Sequence, residues 1–206
     1  MSITTYGTLK DAMANWLARP DLTDRIPEFI ELAEDRIAHD VRIAAMETST
    51  SLTVDAQTVA KPDGYLEGKR IYLATSPVTK VEFISVDNFW SKYAGSLTGK
   101  PRVFTAEGEN LVFGPTPDAS YTGQLLYYKR FDALSGDQDT NWLLTNARGL
   151  YLYGGLLEAA PFIRNDPRIA VWGGLWDNEV DRLMRADMRE QHSGGVLVSR
   201  PEFAGP

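Results

Sequence analysis

Residues 140–191 constrain this chain more than any other stretch, because they spell two helices with a forced turn between them. Apolar residues recur at Leu143, Ala147, Leu150, Tyr151, Gly154 and Leu157, in steps of three and four that place them on one helical face. The pattern resumes at Ile169, Trp172, Trp176, Val180 and Leu183. Pro161 opposes continuation of the first helix, since its ring and missing N–H break the ladder. Asp166 followed by Pro167 is a start signal for the second: a cap residue and a proline preset for the first turn. The chain is expected to reverse near Arg164-Asn165.

Each helix carries a glycine pair, Gly154-Gly155 and Gly173-Gly174. Glycine inside a helix costs about 1 kcal/mol relative to alanine. In an antiparallel hairpin the two pairs fall at the same height. The expectation is close backbone approach there, with Trp172 and Trp176 filling the space beside them; the alternative is that some glycines end their helices early.

Before this hairpin the sequence divides in two. Residues 1–45 read as two helices: one with Leu9, Met13, Trp16 and Leu17 as its stripe, capped by Thr5 or Thr8, and one opened by Thr23 or Asp24. The second has Ile26, Phe29, Ile30, Ala33, Ile37 and Val41 on one face, with Glu28, Glu31, Glu34, Asp35, Arg36 and Asp40 mostly on the other. From Met46 the period shortens to two. Strands are expected at 48–54, 66–75 and 78–84, then a short helix at 88–94, a hairpin across Gly108-Glu109-Asn110, and a strand over 121–131. The fold class is therefore α+β: a helical bundle of 1–45 and 135–193, a β-rich insertion at 46–134, and an extended C-terminal tail at 194–206. The thirteen residues of that tail reach at most about 45 Å. They cannot build a core, so they are either disordered or dock on another surface.

Chemistry is sparse. A chain without cysteine has no disulfide and no thiolate ligand or nucleophile. Neither a phosphate-binding glycine loop nor a G-x-S-x-G elbow occurs. His39 and His192 are far apart in sequence and read as exposed. Asp137, Asp139 and Asn141 have the opening spacing of a calcium loop, but Trp142 and Arg148 stand where glycine and glutamate are required. They read instead as residues complementing a helix N-terminus. Paired carboxylates of a hydrolase are not singled out among the 28 acidic residues. The net charge of −7, with 21 scattered Lys and Arg, argues against free DNA or an anionic membrane as principal partner. No apolar run approaches a membrane span, and the first residues lack the pattern of a secretory signal.

In order along the chain, several segments resemble the head–tail adaptor (connector, or head-completion) proteins of tailed bacteriophages. They are Tyr6 to Leu22, Ile26 to Ile37, Gly99-Lys-Pro-Arg-Val-Phe-Thr with Leu111-Val-Phe-Gly-Pro-Thr-Pro-Asp, Leu125 to Phe131, Asn141-Trp-Leu-Leu, and Tyr151 to Phe162. The resemblance covers about residues 5–190. It implies a virion protein without catalytic residues, cofactor or metal, made in the host bacterial cytoplasm and placed at the head–tail interface. Its expected partners are the portal protein, tail or nozzle proteins, identical subunits in a ring of twelve, and double-stranded DNA passing without sequence-specific binding during genome ejection. No membrane is implied. Val196, Leu197, Val198 and Phe203 are candidate contacts to the portal or a neighbouring subunit, and Gly154, Gly155, Gly173, Gly174, Trp172 and Trp176 candidate packing positions of the hairpin. The alternatives are a tail or baseplate component and a phage-associated cell-wall hydrolase.

Overall fold

The computed structural model describes residues 2–95, 97–163 and 166–192. It is mixed α and β, with six α-helices and a curled seven-stranded sheet. The chain forms two compact units. One holds the described residues of Met1–Ala44 and Ala133–Pro206, the other Ala45–Asp132.

The first unit is helical. Helix α1, Tyr6–Leu17, begins at a reciprocal cap: the Thr8 N–H donates to the Thr5 hydroxyl, and the Thr5 N–H donates to the Thr8 hydroxyl at 2.9 Å. Its next free donors, on Tyr6 and Gly7, reach the carbonyls of Asp139 and Asp137, both at 2.9 Å. Helix α2, Ile26–Asp40, buries Ile26, Phe29, Ile30, Ala33 and Ile37, the expected stripe. Its start differs from expectation. A 3₁₀ turn over Pro20–Arg25 leads straight into it, and neither Thr23 nor Asp24 caps it.

The expected helix from residue 142 is two helices, α4 at Trp142–Asn146 and α5 at Arg148–Glu158. The Thr145 hydroxyl and the Asn146 amide donate to the carbonyls of Asn141 and Trp142, at 3.0 and 2.8 Å, and the Thr145 N–H shares the Asn141 carbonyl at 3.1 Å. Ala147 then leaves helical geometry at φ −141° and ψ 47°. Helix α5 ends before Pro161, as expected. Helix α6 spans Arg168–His192, and the Asp166 carboxylate accepts the Arg168 N–H at 2.9 Å. The reversal expected at Arg164-Asn165 lies outside the described residues. Helix α5 is central to this unit, with α1, α2, α4 and α6 all packed on it.

The second unit is the sheet, ordered β1-β7-β3-β4-β5-β6-β2. Strands β1 (Glu47–Val54), β7 (Tyr121–Lys129) and β3 (Tyr65–Leu73) pair antiparallel; β7 sits between the other two. Their alternation is real: Leu52, Val54, Leu125, Tyr127, Ile71 and Leu73 face one core. Strands β4 (Thr79–Phe83) and β5 (Val103–Glu107) pair in parallel. That pairing is possible because helix α3, Val86–Tyr93, lies in the connection, and its Phe89 is fully buried. Strand β6 (Asn110–Gly114) completes the expected hairpin with β5 and also pairs with β2 (Thr58–Ala60).

Candidate functional site

Helix α5 is assembled around its glycines. A Cβ on Gly154 would lie 2.8 Å from the Trp176 ring and 3.1 Å from the Ala33 Cβ; one on Gly155 would lie 2.5 Å from the Met13 methyl. Trp176 and Ala33 are buried and stiff, so little can give way at Gly154, whereas Gly155 faces the flexible end of the buried Met13. Gly154 and Gly155 therefore admit α6, α2 and α1 to the backbone of α5. Gly149 of α5 stands against Glu179 and Gly154 against Trp176, so α5 and α6 run antiparallel.

The second glycine pair behaves differently. Among the described residues, and apart from the helix's own backbone, nothing lies within 4 Å of where a Cβ would sit on Gly173 or on Gly174. The expected meeting of the two pairs does not occur. What fills the space against Gly154 is the Trp176 ring, and α6 makes its inward contact with Trp172 and Trp176. Steps of three and four from Ile169 through Leu183 define that inward face; Gly174 falls on the other side.

A buried carboxylate organises the re-entry of the chain into the helical unit. Glu34, only 8% exposed, accepts the Leu134 N–H at 3.0 Å and the Tyr151 hydroxyl at 3.3 Å. The Asn141 amide in turn donates to the Tyr151 oxygen at 2.7 Å. The expectation that Glu34 belongs to the solvated face is thus corrected. The signal was present: Glu34 sits four residues after Ile30 and three before Ile37, on the apolar stripe itself. At the other crossing between units, the Ala44 N–H donates to the Asp187 carboxylate at 2.6 Å.

The start of α6 is clamped to the end of α1. Arg168 donates to the carbonyls of Trp16 and Leu17, at 2.8 and 3.4 Å, which satisfies acceptors that a helix C-terminus leaves free. Asp166 orients the guanidinium, and that hydrogen bond, then the one from the Arg168 backbone, holds its carboxyl below the usual carboxylate range. Asp139 is held low in the same way, by the N–H groups of Gly136 and Ser135. Asn141, the third residue of the rejected calcium spacing, caps α4 through the Leu144 N–H at 2.9 Å. Among the described residues, no group of three or more His, Cys, Asp or Glu is placed to hold a metal ion. Nor is any helix there long and apolar enough to cross a membrane.

These features are a packing scaffold, and the comparison with known families says whose. The family model of the SU10 adaptor protein matches residues 4–199. The chain belongs to that family. It is a family of phage head–tail adaptors. No curated protein matches the chain significantly. As an SU10-type adaptor, the protein is a bacteriophage structural component that interacts with other parts of the virion.

What such an adaptor offers its partners is surface. In the helical unit Trp16, Trp142, Phe162 and Val171 are exposed by 37–59%, and in the sheet unit Phe83 and Trp90 by 63% and 39%. Large apolar side chains in that position are the usual anchors of protein interfaces. The candidate contacts Val196, Leu197, Val198 and Phe203 lie outside the described residues.

Proposed function

We propose that this protein forms a ring of identical subunits, twelve in number, beneath the portal. There it extends the channel for double-stranded DNA and presents a docking surface to tail or nozzle proteins. The observation that carries this reading is the family match over residues 4–199, which spans both compact units. The net charge of −7 supports it, because DNA must pass such a channel without adhering. The role is structural, with no chemical step assigned to any residue. Residues 194–206 act as a strap, with Val196, Leu197, Val198 and Phe203 laid on the portal or a neighbouring subunit.

The test is reconstitution. Purified protein is added to DNA-filled, portal-bearing heads that lack it, and sedimentation of the chain with heads is measured together with recovery of tail attachment. Binding in several copies per portal and restored tail attachment are expected. Failure to bind, or clearing of peptidoglycan by the free protein, contradicts the reading. A chain ending at residue 193 should keep its melting temperature and bind portals more weakly; equal binding removes the strap.

A further inference from the structure

Helix α6 has an outward face that is exposed among the described residues. Gly174, Asn178, Arg182, Arg185 and Arg189 follow at steps of four, four, three and four, so they form one stripe, and all are exposed. The stripe points away from the buried Trp172 and Trp176. The side chains of Arg182 and Arg185 are 70% and 64% exposed. Their ion pairs are with Glu179 at 2.7 Å and Asp181 at 3.4 Å on the same helix, a type of contact that holds an arginine only weakly. Asp177 and Asp181 flank the stripe, and Asp187 lies on the packed side with the Ala44 N–H. At the head of the stripe no described residue lies within 4 Å of where a Cβ would sit on Gly174, and Val171 beside it is 59% exposed.

Helix α2 carries the counterpart. Glu28, Leu32, Asp35 and His39 repeat the steps of four, three and four found at Asn178, Arg182, Arg185 and Arg189, with Glu31 beside them. All five are exposed, on the side away from Phe29, Ala33 and Ile37. Glu28 pairs with Arg25 at 3.6 Å, again within the local chain. One stripe is basic and the other acidic, their spacing matches, and both belong to the same helical unit.

We propose that the α6 stripe of one subunit docks on the α2 stripe of the next copy of this chain. Arg182, Arg185 and Arg189 would face Glu28, Glu31 and Asp35, with Leu32 and Val171 as apolar contacts. This rests on the ring reading above and names the surfaces that would join its subunits. Like charges along the stripes disfavour α6 against α6 and α2 against α2, so the proposed contact joins two different surfaces, as ring closure requires. Gly174 lets the neighbouring helix come close where a side chain would hold it off.

Charge reversal tests it. One variant carries Arg182→Glu, Arg185→Glu and Arg189→Glu; the other carries Glu28→Lys, Glu31→Lys and Asp35→Lys. Both should melt like the wild type. Copies loaded per portal should fall about tenfold for either variant alone and recover when the two are mixed, because each then meets an oppositely charged neighbour. Wild-type loading by the α6 variant alone overturns the proposal. If that variant differs only in retention of DNA, the arginines serve DNA instead and the adaptor reading stands. No recovery in the mixture by two folded variants also overturns it. If the wild type itself fails to load, the adaptor reading falls; association in the mixture and in neither variant alone, followed by sedimentation without portals, still decides the α2–α6 contact.

Discussion

Helices α5 and α6 carry the same costly feature, a pair of adjacent glycines, and put it to opposite uses. In α5 the missing side chains are occupied: Trp176 and Ala33 stand where Gly154 would carry its Cβ, and Met13 where Gly155 would. In α6 no described residue stands beside Gly173 or Gly174 in that way. The first pair stabilises the subunit by letting three helices reach one backbone. The second meets no described residue that would offset its helix cost. The proposed contact between copies would give Gly174 a use of that kind, at the head of the exposed α6 stripe.

The largest expected effect breaks the inner half of that contrast. Gly154→Leu should lower unfolding stability by about 3 kcal/mol or more, since the buried Trp176 ring and Ala33 cannot make room. Urea denaturation followed by tryptophan fluorescence measures it, and a wild-type midpoint would refute the packing described here. Next comes the buried carboxylate that fixes chain re-entry beside α5. Glu34→Ala leaves the Leu134 N–H and the Tyr151 hydroxyl without their acceptor and should cost about 2–3 kcal/mol, with Glu34→Gln milder because it keeps an acceptor oxygen.

The outer half is sharpened by a change of sign. Gly173→Ala and Gly174→Ala should each raise the thermal stability of the free protein, by up to about 1 kcal/mol, because alanine is the better helix former and nothing blocks its methyl group. Destabilisation by either would show that α6 uses its glycines internally as α5 does.

The smallest effect is pH dependence at the start of α6. Asp166 has a lowered carboxyl pKa in the folded protein, so its stabilisation is fully present above the ordinary carboxylate value and fades as pH falls through the lowered one. Asp166→Asn should therefore flatten part of the loss of melting temperature below about pH 4, and leave behaviour near neutrality less changed in slope. An unchanged acid slope would mean that the Arg168 clamp does not depend on the charge of Asp166.

Much of the fold was legible because it rests on periodicity. The stripe of α2, the alternation of β1 and β7 and the hairpin of β5 and β6 are direct consequences of side chains repeating at the period of the element that buries them. Sheet order was not legible. The pairing of β7 between β1 and β3, and the parallel contact of β4 with β5, depend on long-range partners that no local pattern names. The break at Ala147 was hidden because the apolar spacing runs through it unchanged. Glu34 looked like one more acid in an acidic helix until its steps from Ile30 and to Ile37 were weighed. The two glycine pairs are identical in sequence terms, and only the three-dimensional surroundings separate them.

The central claim is that this SU10-family chain sits at the head–tail junction as a ring whose subunits meet through the outward face of α6. Electron cryomicroscopy of the assembled particle tests it most directly. The account predicts density for this chain directly beneath the portal, with α6 of each copy against a neighbouring copy. Density elsewhere in the particle, or beneath the portal with the Arg182, Arg185 and Arg189 face of α6 turned away from every neighbouring copy, would contradict it.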